Sequence, residues 1–257
     1  MPVFATTNSE ERALFDQFAP GVAFVDVEDR NGDRQIGTCF HIGDYVFITA
    51  RHVVEDRKIL KIATTNAGVR SAGNHSVASF TACEAKVIEG PYFHPKPEYD
   101  LAALRLPELH AAQIPFLPII DDHFENKLLL RTVVVMGFPR IPGSRSPVLV
   151  CARAEVNAAF TTYFDNQRVY VVSSLARGGF SGGPALTPPH HCLGVITRAM
   201  VTEERPEELG FMAVVPPLPI LELLNHHGIM PGYLRTEVWE PYMKVRSGED
   251  RPPSYFV

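Results

Sequence analysis

The chain has 257 residues, 46% hydrophobic and 21% charged, enough to bury a sizeable core and too apolar for general disorder. Its 24 Lys and Arg against 29 Asp and Glu leave a net charge of −5, and no basic run is interleaved with aromatics. Nucleic acid is thereby excluded as the expected partner, and a protein or peptide fits better.

The first residues, MPVFATTNSEERALFDQF, lack a basic start followed by an apolar run, and no stretch approaches the roughly 20 apolar residues of a membrane span. The expectation is a cytoplasmic protein with no membrane partner. Residues 9–18 are predicted to form a short helix, because Asn8 and Glu11 have capping-box spacing and Ala13, Leu14 and Phe18 can form one apolar stripe. Strands follow. GVAFVDV and QIGTCFHI flank Asn31-Gly32, a hairpin signal, and DYVFITA leads into a short turn carrying His52. Further strands are predicted at KILKIAT, CEAKVIE, DLAALRL, LLLRTVVVMGF, PVLVCARAEV, QRVYVVSSL, GPALT, CLGVITRA and FMAVVP. Many short apolar runs separated by Pro, Gly and Asn turns indicate an all-β chain of two packed antiparallel barrels, with a junction near residues 110–127. Residues 217–227 read as a closing helix ended by Gly228.

Three of these segments carry residues for nucleophilic chemistry, in the order His52 (TARHVV), Asp100 (EYDLAALRL) and Ser181 (GGFSGGPAL). A seryl hydroxyl is a weak nucleophile near neutral pH. It needs an imidazole to accept its proton and a carboxylate to hold that imidazole in the right tautomer. The glycines around Ser181 fit a tight turn that presents backbone N–H groups to a developing oxyanion, with Gly179 and Ser181 as the expected donors. Alone, a histidine before Val-Val is more often structural, and Asp121 and Asp122 rival Asp100 on composition. Only Asp100 opens a buried-looking strand, and two glycines on each side of Phe180 and Ser181 exceed what a plain turn requires. His190, His191 and Cys192 lie close together, but three adjacent residues do not readily close a tetrahedral metal site. No metal and no cofactor are expected.

These motifs, together with GTCFHIGDYVFITARHVV, VVVMGFP, LGVIT and GFMAVVP, resemble trypsin-like serine peptidases of the chymotrypsin fold, in their bacterial HtrA-type branch, from about Pro20 to about Leu224. The resemblance implies two six-stranded antiparallel barrels, about 20–110 and 128–216, within a peptidase domain at 20–228. A helical segment at 1–19 precedes it, and a C-terminal extension at 229–257 is too short for the peptide-binding module that often follows. It implies an endopeptidase working through an acyl-enzyme. The substrate-binding S1 wall is expected to include Leu175 and Ala176, then Thr197, Arg198 and Ala199, then Phe211 and Ala213, with no acidic residue at its base. Phe180 stands where zymogen-activated relatives carry an aspartate, so control is expected from an activating or sensor protein in an intracellular regulated protease. The positions beside His52 where secreted relatives place a disulfide hold Val53 and Val54. Cys39, Cys83, Cys151 and Cys192 are scattered, which favours free thiols in a reducing compartment. The rival reading is a catalytically silent peptide- or partner-binding module on the same fold.

Overall fold

A computed structural model describes residues 10–65, 82–114, 128–162, 167–174, 178–188, 191–200 and 210–248. The chain opens with helix α1 (Glu10–Phe18), which buries Leu14 and Phe18. Ala13 is exposed, contrary to the expected stripe, and Phe15 packs against the core in its place. Leu14, Phe15 and Phe18 then share the face set by three- and four-residue spacing. Asn8, the expected cap, lies outside the described residues.

The first sheet contains β1 (Val22–Glu28), β2 (Arg34–Gly43), β3 (Val46–Ala50), β4 (Lys58–Thr64), β5 (Glu89–Phe93) and β6 (Leu101–Arg105). All pairs are antiparallel, in the order β4-β1-β2-β3-β6-β5. The expected hairpin is present: Glu28 faces Arg34, and the Asp29 carboxylate accepts the N–H groups of Asn31 and Asp33 at 2.8 and 2.9 Å. Such an Asx turn offers the loop backbone an acceptor that the ladder cannot. The second sheet closes into a barrel in the order β10-β11-β12-β9-β8-β7. Its strands are β7 (Thr132–Gly137), β8 (Val150–Thr161), β9 (Arg168–Ser173), β10 (Pro184–Thr187), β11 (His191–Met200) and β12 (Phe211–Val215). The chain is therefore mostly β, in two six-stranded antiparallel sheets of chymotrypsin-like arrangement. Among the described residues the second is closed and the first is open between β4 and β5.

One strand falls elsewhere than expected. CEAKVIE supplies a single bridge, Ala63 to Glu84, and the paired strand is β5, EGPYF. Gly90 and Pro91 sit where the register against β6 shifts, between Glu89 and Tyr92. Pro cannot donate to a ladder and is tolerated at such a bulge, which is why the segment does not read as a strand.

Helix α3 (Pro217–His226) begins with proline in its first turn and buries Ile220, Leu221, Leu223 and Leu224; Gly228 follows at φ +67. The residues beyond it were expected as an extension, and they fold further. A helical turn at Gly232–Leu234, a π-turn at Arg235–Trp239 and a helix at Glu240–Ser247 follow one another. Met230, Leu234 and Val238, four residues apart, enter the same core as Leu14, Phe18 and Phe40. The Tyr233 hydroxyl donates to the Ile42 carbonyl at 2.8 Å, and the Gly232 N–H donates to the Asp44 carboxylate at 2.8 Å, which fastens this segment to the first sheet. Among the described residues no helix is long and apolar enough to cross a membrane.

Candidate active site

His52 lies on a short helix, α2 (Arg51–Val54), that follows β3 directly. Val53 and Val54 are buried and point the helix into the first sheet, leaving the His52 imidazole half exposed. The Val53 side chain fills the space beside Gly37, where a Cβ would stand 2.4 Å from it. The two positions beside His52 are thus held by apolar packing. Arg51 is anchored by an ion pair with Glu55 at 2.6 Å and by stacking on Phe93, its guanidinium carbon 4.7 Å from the ring centroid.

Asp100 caps the 3-10 turn Pro97–Tyr99 in a left-handed conformation, φ 47 and ψ 41, which Asp tolerates better than bulkier residues. That geometry brings three of its atoms onto α2. Its carbonyl accepts the Arg51 N–H at 2.9 Å, Oδ1 accepts the His52 N–H at 2.9 Å, and Oδ2 meets His52 Nδ1 at 2.8 Å. An ionised carboxylate only accepts, so Nδ1 carries the proton in this contact and Nε2 is left as the acceptor.

Ser181 sits in the turn 178–181 ahead of β10. Gly179 has φ +104, and a Cβ there would stand 2.3 Å from the Phe138 carbonyl oxygen. Gly182, at φ +84, would place a Cβ 2.0 Å from the Thr38 carbonyl oxygen. Both positions require glycine on conformation and on space. The loop is pinned from both sheets. Thr38 of β2 donates its N–H to the Ser181 carbonyl at 2.9 Å and its hydroxyl to the Gly179 carbonyl at 2.6 Å. The Phe138 N–H donates to the same Gly179 carbonyl at 3.1 Å, and Gly182 donates to Ile196 at 2.7 Å. Phe180 is 3% exposed and packs among Leu128, Val133 and Leu193 inside the barrel. Apolar burial therefore anchors the residue before Ser181. Among the described residues the N–H groups of Gly179 and Ser181 have no protein acceptor.

The Ser181 hydroxyl donates to the Thr197 carbonyl at 3.3 Å, and no hydrogen bond joins it to His52. His52 and Ser181 nevertheless face one cleft of about 490 Å³, which Gly178 and Gly179 also line. Its remaining walls are Asp26, Arg34, Gln35, Ile36 and Gly37 from the β1–β2 hairpin, Val53, Arg57, and Arg140 after β7. Sequence reasoning missed the charged members of this wall. Arg34 had a signal only as a basic residue beside the Asn31-Gly32 turn and Arg140 as one following GFP, while Asp26 and Arg57 had none.

Of the expected S1 residues, Thr197 stands beside Ser181, whose hydroxyl its carbonyl accepts. Thr197 is buried, Arg198 is exposed and pairs with Ala213, and Phe211 is half-buried at the start of β12. Ala199 lies opposite Met212 in the same ladder. Leu175 and Ala176 lie outside the described residues, as do Asp121, Asp122 and His190. Among the described residues no group of three or more His, Cys, Asp or Glu could hold a metal ion. Cys39, Cys83, Cys151 and Cys192 are free thiols. Cys151 is exposed, and burial pushes the Cys192 thiol up to about 12.

Two sheets with His, Asp and Ser at their junction define the chymotrypsin-like architecture. Residues 37–195, more than half of the chain, match the family model of the trypsin-like peptidase domain, and the chain belongs to that family. No curated protein matches the sequence. Among solved structures, the fold is similar to that of the Rv3671c protease from M. tuberculosis in its active form, at 20% identity and a TM-score of 0.58, covering 90% of this chain and 89% of that one. The inactive form of Rv3671c gives a TM-score of 0.55 at 20% identity, covering 88% and 97%. The HtrA-type protease AlgW, solved with a tripeptide, gives 0.59 at 15% identity over 85% of this chain. This chain spans 64% of the AlgW chain.

Proposed function

We propose that the chain is a serine endopeptidase that hydrolyses peptide bonds through an acyl-enzyme. Ser181 attacks the scissile carbonyl, while His52 Nε2 takes the hydroxyl proton and returns it to the departing amine. Asp100 keeps the imidazole oriented and stabilises its charged form, and the N–H groups of Gly179 and Ser181 bind the oxyanion. Water then repeats the attack on the acyl group, with His52 again as base. The observation that carries this reading is the His52–Asp100 hydrogen bond at 2.8 Å, facing the same cleft as a serine whose flanking N–H groups are free of acceptors among the described residues.

A protein or peptide is the substrate class, which the tripeptide held by AlgW supports. An intracellular, cytoplasmic location is supported by the four free thiols. Control by an activating partner is supported by the Ser181 hydroxyl bonded to Thr197 rather than to His52, and by Phe180 in place of an ionisable residue. A fluorophosphonate probe tests the chemistry, because it reacts only with an activated serine. Labelling of the wild type and not of Ser181→Ala supports the proposal. A wild type that stays unlabelled under prolonged exposure to excess probe would leave the silent binding module as the better reading.

A further inference from the structure

The active-site cleft has a charge imbalance on one half. The wall that holds His52, Val53 and Gly37 also holds Arg34, Arg57 and Arg140, with Asp26 as its one carboxylate among the described residues; Arg57 follows α2, its N–H donating to the Val54 carbonyl at 3.4 Å, and Arg140 follows Phe138 and Pro139, against which Gly179 packs. Arg34 is neutralised, since its guanidinium is paired directly with Asp26. Arg57 donates to the neutral Gln35 side-chain oxygen at 2.6 Å, a bond that orients the guanidinium and leaves its charge uncompensated. Arg140 is exposed and has no carboxylate partner among the described residues. Two uncompensated cations therefore overlook the cleft.

Chemistry identifies which part of a substrate this half would hold. The departing amine receives its proton from His52, so the chain leaving the enzyme must extend on the His52 side of Ser181. The acyl half stays bonded to Ser181, beside the β11 residue Thr197 that accepts the serine hydroxyl. Among the described residues, none of the expected S1 residues Thr197, Arg198, Phe211 and Ala213 lines the cleft wall that bears Arg57 and Arg140.

Resting on the peptidase reading of this site, we propose that Arg57 and Arg140 make the leaving-group half a subsite for acidic side chains. Preferred substrates then carry Asp or Glu within the first three residues after the scissile bond. Guanidinium suits this role because its planar donors match a carboxylate in paired geometry and its charge persists at every working pH. Both arginines are solvent-accessible, so each contact is a modest one. Together they are expected to favour an acidic over a basic leaving segment about five- to tenfold at low salt, with the preference shrinking as salt screens it.

The test uses two peptides of one sequence, both amidated at the C-terminus to remove the terminal carboxylate. One has Glu-Glu and the other Lys-Lys at the second and third positions after the scissile bond. Competitive cleavage by the wild-type chain is read by mass spectrometry, and affinity for the full Ser181→Ala chain by fluorescence anisotropy. The expected result is a preference for the Glu-Glu peptide in both assays, falling with added salt and reversing in the R57E/R140E double variant. Arg145→Glu, the same charge change on the exposed loop after β7 but outside the cleft wall, is expected to leave the preference as it was. Equal binding of the two peptides, absence of binding by the Glu-Glu peptide, or a preference unchanged in the double variant would overturn the proposal. The binding arm needs no turnover. If the peptidase reading fails, the probe labelling and the cleavage arm are lost while the charge preference is still measured.

Discussion

The Thr38 hydroxyl stands 2.6 Å from the Gly179 carbonyl oxygen, a contact between β2 of the first sheet and the serine loop of the second. The Phe138 N–H is shared between the Thr38 hydroxyl oxygen and that carbonyl, at 3.1 Å to each, and Thr38 is fully buried. This one side chain fixes the orientation of a peptide unit adjacent to the proposed oxyanion donors. In Thr38→Val the shape is kept while the Gly179 carbonyl and the Phe138 N–H each lose one partner and keep each other, so the stability cost is that of a lost hydrogen bond, about 0.5–1.5 kcal/mol. Misplaced oxyanion donors lower the chemical step rather than substrate binding, and loss of one donor costs ~10²–10³ in rate. Thr38→Val is therefore expected to lower kcat at least ~10-fold with little change in KM, and Thr38→Ser to restore it. A loss confined to KM, or one that Ser does not rescue, would show that the contact acts only on stability.

Asp100 reaches α2 by three contacts, so its replacement separates orientation from chemistry. Asp100→Asn keeps the shape but offers an N–H where an acceptor is needed, favouring the wrong imidazole tautomer. A loss on the order of 10⁴ in kcat is expected. Ser181→Ala and His52→Ala should each abolish turnover, and combining them should add little, because groups acting as a unit are not additive. Circular dichroism of the three variants should match the wild type. Near-normal peptidase activity in purified Ser181→Ala would remove the mechanism.

Those residues were legible in the sequence because chemistry confines them to short local patterns. His52 needs a strand end and a turn, Asp100 a strand start, and Ser181 a turn of glycines. Strands such as KILKIAT were legible for a similar reason, since an apolar run between turn residues is itself the signal; the observed β4 has these bounds. Thr38 was not legible, because a threonine in a strand is unremarkable until the second sheet is packed against it. Arg57 and Arg140 lie on separate loops and become neighbours of one cleft only through the junction of the two sheets. β5 was hidden by Gly90-Pro91, and the last helices by a four-residue spacing carried on too few apolar residues.

His41 gives a pH dependence of stability. It is 9% exposed, stacked on Phe47 at 4.9 Å, with Nδ1 3.0 Å from the Ala111 carbonyl. Burial lowers its pKa below the ordinary value, against smaller raising effects from the Ala111 and Ala112 carbonyls and Asp44. A depressed folded pKa contributes stability that is fully present above the unfolded value, about 6.5, and is lost as pH falls toward the folded one. The melting temperature is expected to decline from pH 7 to pH 5, and His41→Phe to shallow that slope. An equal slope in both proteins would assign the acid sensitivity to other groups.

The thiols give a chemical prediction. Burial holds Cys39 and Cys192 as poorly ionised thiols, and the thiolate is the reactive form, whereas Cys151 is exposed. In the folded chain at pH 7.5, iodoacetamide is expected to modify the exposed Cys151 and the partly buried Cys83 before the buried Cys39 and Cys192, as read by peptide mapping. Mild reductant should change neither activity nor melting temperature. Oxidation of all four thiols in freshly isolated protein would overturn the proposed reducing compartment.

The proposed activation acts at the serine hydroxyl. For attack, Ser181 Oγ must leave the Thr197 carbonyl, 3.3 Å away, and turn to His52 Nε2. Thr197 belongs to β11, where the register against β12 shifts between Ile196 and Arg198, so a change at that strand would reach the hydroxyl directly. A partner or a second copy that favours the bonded His52 arrangement by about 2.7 kcal/mol raises its population relative to the resting one ~100-fold. The isolated chain is accordingly expected to cleave its best peptide well below the ~10⁵ M⁻¹s⁻¹ common among enzymes, and to gain activity with a partner or with rising concentration. Steady-state kinetics across a concentration series, paired with light scattering, checks this. A monomer already working at ~10⁵ M⁻¹s⁻¹, insensitive to concentration and to added partner, would show that the Thr197 contact is a rotamer in free exchange rather than a restraint.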